Sequence, residues 1–453
     1  MLIRNGTLAD GRTRDVRVEG ETIAAVDAYL DPTADERVVD VTDKRLLPGM
    51  IDVHVHFREP GGSHKETWTT GSESAAAGGV TTVVDQPNTD PPTTTGPNFD
   101  RKAECAATSL VDYGLNGGVG PDWDPDSLFA RPLFALGEVF LADSTGDMGI
   151  DSERFAAAVE RATREGVLVT VHAEDASLFN ESARERDDAD AWSAYRQARA
   201  EEAAVQYACQ VAAEEGTRIH VAHTSTPEGI DVAAAAGMTC EVTPHHMFLS
   251  RGDLDDLGTF GRMNPPLRRE RRRRQVYERV ADGTVDMIAT DHAPHTREEK
   301  DASIWDAPSG VPGVETALPL LLEEARHDRL SYERVRDLTA ATPAEVFGLS
   351  NKGTVTEGND ADLVLFDPDD HREIRGEALH TKADWTPFEG WHGVFPERTI
   401  VRGHVVYERD GTEETFGDPV GENVRTITRD TDDDAADDGP ETGDDESGPH
   451  TDA

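Results

Sequence analysis

Apolar and β-branched residues recur through the middle of the chain in short runs that alternate with longer polar stretches. Short apolar runs bounded by turn residues are typical of strands buried on both faces of a parallel sheet. Eight such runs occur: Met50 to His56, Val80 to Asp85, Val111 to Val119, Leu133 to Leu141, Gly166 to His172, Thr217 to His223, Met238 to Thr243 and Thr284 to Asp291. Alternation of eight strands with helices predicts an α/β fold, a (β/α)8 barrel over residues 50–352.

The stretches between these runs have the composition of helices. Ser152 to Arg164 and Ala198 to Glu214 are rich in Ala, Glu and Arg, with apolar residues three or four positions apart. Because this spacing gathers apolar side chains on one helix face, both segments are predicted to pack as helices.

The two flanks of the middle region consist of short β-prone runs separated by Gly and Asp turns. Residues 1–49 contain Val16 to Val18, Thr22 to Val26 and Arg37 to Val41, and residues 353–416 contain Asp362 to Phe366 and Thr399 to Tyr407. We expect one small antiparallel β domain built from both chain ends. Residues 417–453 are acidic and almost free of apolar side chains, which predicts a disordered tail.

The chain carries 90 acidic residues against 44 Lys and Arg, a net charge of −46. This excess argues against nucleic acid and anionic membranes as partners, and no run of about 18 apolar residues occurs. Acids spread along the whole chain are typical of proteins from salt-loving archaea, where concentrated salt screens their repulsion. The basic run from Arg268 to Arg274 is interpreted as a solvated helix paired with local acids.

Three scattered cysteines, Cys105, Cys209 and Cys240, are too few for a disulfide framework or a thiolate metal site. They predict a cytoplasmic protein. The oligomeric state stays open, with a homo-oligomer as one candidate.

The chemistry of the chain is carried by residues at the ends of the predicted strands. His54 and His56 are two positions apart on the first barrel strand, so their side chains leave the same face. His172, His223 and Asp291 end the fifth, sixth and eighth runs in the same manner. These five groups therefore converge on the rim of the barrel where active sites lie.

Imidazole and carboxylate ligands suit Zn²⁺, and four histidines with an aspartate exceed what one tetrahedral catalytic ion needs. The pattern predicts two zinc ions per chain. A metal pair activates a water molecule and polarises a carbonyl, which suits hydrolysis.

Several longer segments resemble the dihydroorotases of the amidohydrolase superfamily. They are Asp52 to Gly61, Lys65-Glu66-Thr67, Gln86 to Thr89, Met263 to Arg268 and Ala289 to His295. The resemblance spans residues 1–416 and implies a metal-dependent hydrolase barrel that interconverts dihydroorotate and N-carbamoyl-aspartate in pyrimidine biosynthesis. It implies His54 and His56 on one ion, His172 and His223 on the other, and Asp291 as a ligand that also carries the proton.

Substrate recognition is expected to centre on Arg58, because a guanidinium binds the carboxylate of dihydroorotate in bidentate geometry. The resemblance adds Asn88, Asn264 and His295, with Ser309 and Gly310 from a loop whose backbone faces the ring. His56 is expected to contact both metal and substrate.

Many relatives bridge their metals with a carboxylated lysine on the fourth strand, but no lysine occurs between Lys102 and Lys300. Glu138 aligns with that position and is an acid in an apolar strand, where an unpaired carboxylate is costly. Asp143, in the loop after this strand, is the competing candidate.

Two other functions share this pattern of residues. An allantoinase or hydantoinase uses the same metal geometry on another cyclic ureide, although Arg58 favours a substrate with a carboxylate. A catalytically inactive scaffold is the second alternative. Its mark would be missing metal ligands, and all four histidines and Asp291 are present.

Overall fold

The computed structural model describes residues 1–141 and 148–427, and within them a parallel barrel forms the centre of the molecule. Its strands are β6 (Met50–Val55), β7 (Val80–Asp85), β8 (Asp112–Leu115), β9 (Leu136–Phe140), β10 (Val169–His172), β11 (Ile219–Val221), β12 (Thr239–Val242) and β13 (Met287–Ile288). Each lies within one of the eight predicted apolar runs. The predicted barrel is therefore confirmed.

Hydrogen bonds join these strands into two parallel ladders, β6-β7-β8 and β9 to β13. Parallel bridges between Gly117 and Leu136 and between Val55 and His292 connect the ladders at both sides. The barrel is thus closed, and all its strands present their carboxyl ends to one rim.

Helices follow most of the strands and cover the barrel. They are α1 (Trp68–Ala77), α2 (Gly96–Ala106), α3 (Pro125–Phe129), α4 (Ser152–Glu165), α5 (Asp190–Tyr195), α6 (Ala198–Glu214), α7 (Pro227–Ala235), α8 (Pro244–Phe248), α9 (Leu254–Leu257), α10 (Glu270–Asp282), α11 (Arg297–Lys300), α12 (Ala317–Arg326), α13 (Tyr332–Arg336) and α14 (Thr342–Val346). The two helices predicted from the sequence correspond to α4 and α6. Among the described residues, no helix has both the length and the apolar character needed to cross a membrane.

A second sheet combines strands from both chain ends. Its members are β1 (Leu2–Thr7), β2 (Thr13–Glu19), β3 (Thr22–Asp27), β4 (Val38–Asp40), β5 (Arg45–Pro48), β14 (Leu363–Phe366), β17 (Arg398–Val401), β18 (His404–Asp410) and β19 (Glu413–Phe416). The two halves meet where β5 pairs antiparallel with β14, with Leu47 opposite Val364. A separate hairpin joins β15 (His371–Glu373) to β16 (His392–Val394).

The expectation of a purely antiparallel sheet is wrong, because β4 and β5 both pair parallel with β1. The sheet is mixed, and it has its own apolar core that includes Ile3, Val16 and Leu363. The physical reason is that the chain returns past β1 before it enters the barrel, so these two strands run in the same direction as β1.

Residues 418–427 lie on the barrel and correct the predicted start of the tail. The backbone N–H of Tyr113 in β8 donates to the carbonyl of Glu422 (2.9 Å), and Val424 N–H donates to the carbonyl of Tyr113 (2.9 Å). Arg425 also donates to the carbonyls of Phe134 and Phe347. These contacts satisfy the backbone of β8, and Val420 and Val424 pack against core residues, so the segment belongs to the folded part.

Candidate active site

The predicted metal ligands gather at the carboxyl ends of the barrel strands. His54 lies near the end of β6 and His56 directly after it, while Glu138 belongs to β9 and His172 ends β10. The remaining two, His223 and Asp291, follow β11 and β13. All six side chains are buried, with at most 6% of each residue exposed.

Glu138 lies between three of the histidines. Its Oε1 is 2.6 Å from Nε2 of His223 and 3.0 Å from Nδ1 of His172, whereas its Oε2 is 3.3 Å from Nε2 of His54. The two carboxylate oxygens therefore face different histidines, as a ligand shared by two cations requires. Asp143 lies outside the described residues.

Asp291 faces the other side of the histidine cluster. Its Oδ1 is 3.0 Å from Nε2 of His56 and 3.7 Å from Nε2 of His54. Two sets of groups are close enough to share an ion: His54, His56 and Asp291, and His54, Glu138 and His223. His172 joins the second set through its contact with Glu138.

One ring nitrogen of His54 supports the presence of a cation here. Among the described residues, its Nε2 is one of the atoms buried without a hydrogen-bond partner. The unpaired His54 nitrogen faces the carboxylates of Glu138 and Asp291. Buried polar atoms are normally paired, and nitrogen and carboxylate oxygen are the donors that Zn²⁺ prefers. The donor set therefore fits a divalent metal site.

The electrostatics of Glu138 show how closely the cluster is matched. Burial raises the pKa of this carboxyl group, but the nearby His223 and His54 outweigh burial and hold the pKa well below its usual range. Glu138 is therefore an anion, and a buried anion persists only where cations or donors surround it.

The backbone is strained at three of the candidate residues. These three residues have positive φ angles: Arg58 (64°), His223 (30°) and Asp291 (46°). Residues other than glycine rarely adopt this left-handed region. Such conformations cluster at functional sites, where the surrounding structure enforces them.

One cavity at this mouth contains most of the predicted residues. Its lining comprises His56, Arg58, Asn88, Glu138, Phe140, His223, Asn264, Asp291, Ala293, Ser309 and Gly310. Phe140 and Ala293 are members that the sequence did not indicate, since a strand aromatic and an alanine carry no chemical signal. Metal-ligand candidates and substrate-binding candidates therefore share one space.

Arg58 and His295 meet at the edge of this cavity. Arg58 Nη2 lies 3.2 Å from Nε2 of His295, and Arg58 Nε donates to the carbonyl of Pro294 (3.2 Å). Burial lowers the pKa of Arg58 to about 10, so its guanidinium is charged at neutral pH. Burial also lowers the pKa of His295, to about 3, and this imidazole is neutral beside it.

The loop that contains Ser309 and Gly310 is fixed from behind. Lys300 Nζ donates to the carbonyls of Pro308 and Gly310 (2.9 and 3.1 Å). Gly310 has φ of 135°, and a Cβ there would lie 2.5 Å from the carbonyl oxygen of Ala293. Only glycine lets the loop backbone approach the cavity this closely.

Both predicted asparagines contact neighbours that orient them. The carboxamide oxygen of Asn88 lies 2.7 Å from Nδ1 of His56, and that of Asn264 accepts from Nε1 of Trp192 (3.0 Å). Each amide therefore has a fixed direction at the cavity wall.

Two buried carboxylates behind the histidines were missed from the sequence. Glu241 of β12 places Oε1 2.6 Å from Nδ1 of His54, and it accepts from the backbone N–H of His223 (3.0 Å). Glu174 lies 3.1 Å from Nε2 of His172. Carboxylates of this kind fix the orientation of a metal-ligating imidazole. An acid in an apolar strand, the signal used for Glu138, could have found Glu241.

His245 and His246 follow strand β12 of the barrel. Both lie in the short helix α8, capped by Thr243, because the hydroxyl of Thr243 accepts from the N–H of His246. His246 Nε2 lies 2.9 Å from the carbonyl of Pro265, so it supports the segment around Asn264.

Comparisons with known proteins agree with this geometry. Residues 45–406 match the model of the amidohydrolase family. A dihydroorotase of Halobacterium salinarum is 65% identical over 94% of this chain and 99% of its own length. A dihydroorotase of Methanosarcina mazei is 42% identical over 87% of this chain and 90% of its own. Among solved structures, L-hydantoinase from Arthrobacter aurescens superposes with a TM-score of 0.87 at 28% identity, covering 93% and 98% of the two chains.

The chain therefore belongs to the amidohydrolase family, and within that family to the dihydroorotases. The predicted resemblance is confirmed, and the organism of the 65% identical relative agrees with the acidic, salt-adapted composition.

Proposed function

We propose that this chain catalyses the reversible, zinc-dependent hydrolysis of (S)-dihydroorotate to N-carbamoyl-L-aspartate in pyrimidine (UMP) biosynthesis. The observation that carries the proposal is the single cavity in which Arg58 faces the same space as Glu138, His223 and Asp291. A cation for the substrate carboxylate and a set of metal ligands for its amide lie together there. Relatives that are 65% and 42% identical to this chain are dihydroorotases, which supports the same assignment.

The family implies a divalent metal, and we assign two zinc ions to the histidine cluster. His54, His56 and Asp291 would hold one ion, and His172 and His223 the other, with Glu138 shared between them. When bound, the two cations would polarise the substrate carbonyl and lower the pKa of the attacking water.

Asp291 is the residue placed to move the proton. Hydrolysis forms a bond from the water oxygen to the ring carbonyl carbon and breaks the bond from that carbon to the ring nitrogen. In our proposal Asp291 Oδ1 accepts the water proton and delivers it to the departing nitrogen. Burial raises the pKa of Asp291, but the hydrogen bond with His56 and the charge of nearby histidines outweigh it and lower that pKa, so Asp291 begins as the carboxylate. Ring closure uses the same residue in reverse.

The remaining cavity residues would hold the substrate. The Arg58 guanidinium pairs with the substrate carboxylate, and Asn88, Asn264 and His295 supply polar contacts around it. The backbone of Ser309 and Gly310 faces the ring. This arrangement orients the scissile amide towards the metal ligands.

A side-by-side assay tests the substrate assignment. Purified enzyme is offered dihydroorotate, allantoin and hydantoin in concentrated salt, and turnover is followed spectrophotometrically. We expect turnover of dihydroorotate. Hydrolysis of only allantoin and hydantoin would show that the enzyme acts on another cyclic ureide. A protein that turns over none of the three substrates and binds no zinc would be an inactive scaffold.

Elemental analysis tests the metal assignment independently of activity. We expect about two zinc ions per chain, because the cluster offers more donors than one ion needs. A reproducible value near one would exclude the paired site. We also propose that the enzyme is cytoplasmic and forms a homo-oligomer. Sedimentation of the purified protein measures its assembly state.

A further inference from the structure

A second cleft, at the starts of α6 and α10, is rich in arginine. It has a volume of about 410 Å³ and shares no lining residue with the catalytic cavity. We call it the arginine cleft; it is lined by Asn180, Arg186, Ser193, Ala194, Gln197, Ala198, Arg199, Arg251, Arg268, Arg269 and Arg272. Six of these eleven residues are arginines and none is an acid, in a chain whose net charge is −46.

Four of the arginines have acidic partners set back from the cleft. Arg186 and Arg251 share Asp190. Arg272 pairs with Glu228 at 2.9 Å. Arg268 was expected on a solvated helix, but it is buried, precedes α10 and lies 3.4 Å from Glu201. These pairs hold the guanidinium groups in place, which reduces the entropy that a ligand would have to overcome.

The other two arginines are not neutralised. Within the described ranges, Arg269 makes no side-chain hydrogen bond or ion pair, and Arg199 has one long contact, to the carbonyl of Leu178 (3.5 Å). Both are exposed. In a chain with twice as many acids as bases, two unpaired cations at one cleft leave it with uncompensated positive charge.

Two long helices add to this positive potential. α6 begins after Gln197 and α10 begins after Arg269, and neither residue caps its helix with a side-chain hydrogen bond. Both helix starts belong to the cleft wall. The helix dipoles favour an anion there in addition to the arginines, although each first turn also contains a glutamate, Glu201 or Glu270.

We propose that the arginine cleft binds a small molecule with more than one phosphate charge. Guanidinium groups recognise phosphate in bidentate geometry, and several of them around one concavity favour a multiply charged group over chloride or a single carboxylate. The concave shape and the volume fit a small molecule rather than the flat surface of a protein partner. The site goes beyond the proposed reaction, whose substrate occupies the other cavity.

The cleft is also connected to the catalytic side of the barrel. Arg268 Nη1 donates to the carbonyl of Arg196 (2.6 Å). Arg196 Nε donates to Glu174 (2.9 Å), and Glu174 lies 3.1 Å from the ring of His172. A ligand on Arg268 would therefore be joined to a candidate metal ligand through ordered polar contacts.

Pyrophosphate is the probe that tests the cleft. Binding to the zinc-loaded full chain is measured by isothermal titration calorimetry in about 1 M KCl, where the Debye length is only about 3 Å and direct contacts dominate. The test variant replaces both unpaired arginines, as Arg199→Gln with Arg269→Gln. Arg271→Gln is the matched control, because Arg271 is exposed on the same helix and does not line the cleft.

We expect saturable binding of one pyrophosphate per chain, unchanged in the Arg271→Gln control and weakened about tenfold or more in the double variant. Zinc content is measured after each titration to exclude chelation. Three results would overturn the proposal: no saturable binding to the wild type, equal binding by the double variant, or equal weakening by the control. Equal binding by the double variant would place pyrophosphate at the metals instead.

Discussion

Glu138 Oε1 lies 2.6 Å from Nε2 of His223, and its other oxygen faces His54. If this carboxylate is shared by two cations, Glu138→Ala should lose bound zinc and reduce activity more than about a hundredfold. This loss is larger than that expected for a residue that only hydrogen-bonds a metal ligand. Zinc content and turnover are compared with those of Asp143→Ala, which we expect to keep both. Metal loss in the Asp143 variant alone would show that the bridge is Asp143.

Arg58 tests substrate recognition separately from metal binding. Arg58→Met removes the cation proposed for the substrate carboxylate but none of the proposed ligands. We expect kcat/KM for dihydroorotate to fall, with a loss of transition-state stabilisation of about 3 kcal/mol. The zinc content should be unchanged. Arg58→Lys keeps the charge without the bidentate geometry and should recover part of the loss. An unaltered kcat/KM in Arg58→Met would remove this residue from the site.

Glu241 is predicted to act through the imidazole that it orients. Glu241→Gln keeps the shape of the side chain but weakens the contact with Nδ1 of His54. We expect metal affinity to fall by about 10 to 100-fold, measured by competition with a chelator. Glu202→Gln, an exposed glutamate on α6, serves as the control. Equal affinities in both variants would leave Glu241 with a structural role only.

The barrel and its histidines were predictable because both follow from local periodicity. A strand buried on both faces is a continuous apolar run, and side chains two residues apart, such as His54 and His56, share a face. The partners of these side chains were harder to foresee. Glu241 reaches His54 from β12, on another part of the barrel wall, and only closure of the barrel brings the two strands to one interior.

Contacts made by backbone rather than side chains also escaped prediction. Residues 418–427 contain few apolar residues, yet their backbone groups pair with Tyr113 in β8, and Val420 and Val424 pack against the core. Amino-acid composition indicates how much apolar surface a segment can bury, but it does not predict backbone hydrogen bonds of this kind. The parallel pairing of β4 with β1 was also not predicted from the sequence. The turns between these strands are compatible with either strand direction.

Truncation at two positions tests the corrected start of the tail. Deleting everything after residue 417 removes the bonds from Glu422 and Val424 to Tyr113 and those of Arg425. We expect this to cost about 3 kcal/mol and to lower Tm by about 3 °C. A chain ending at residue 427 keeps these bonds and is the control. Identical thermal unfolding of the two truncated chains would contradict a structural role for residues 418–427.

His380 joins the barrel to the sheet and makes the stability of this junction depend on pH. Its Nδ1 lies 2.9 Å from Glu315, which precedes α12, and its Nε2 lies 3.3 Å from Glu414 of β19. Burial lowers the pKa of His380, but the hydrogen bonds to the two carboxylates outweigh it and raise the pKa to about 10. The histidine is therefore charged in the folded protein at neutral pH.

The direction of the pH effect follows from these shifts. A raised histidine pKa stabilises the fold fully below about 6.5, the unfolded value, and the effect is lost as pH rises through about 10. Glu414, whose pKa is lowered to about 2 chiefly by His380, contributes above about 4.5 and loses its contribution as pH falls towards 2. Between pH 4.5 and 6.5 the junction is therefore at full strength.

His380→Gln should accordingly be less stable than the wild type by about 2 kcal/mol near pH 6, with solvent screening already reducing the gain from the ion pairs. The difference should shrink as pH approaches 10, because the wild-type histidine then loses its charge. Denaturant unfolding of both proteins at fixed salt across this range measures it. His371→Gln, an exposed histidine in β15, should show no such trend. A stability difference that is constant from pH 6 to 10 would contradict a charged His380, since a neutral packing contribution does not titrate.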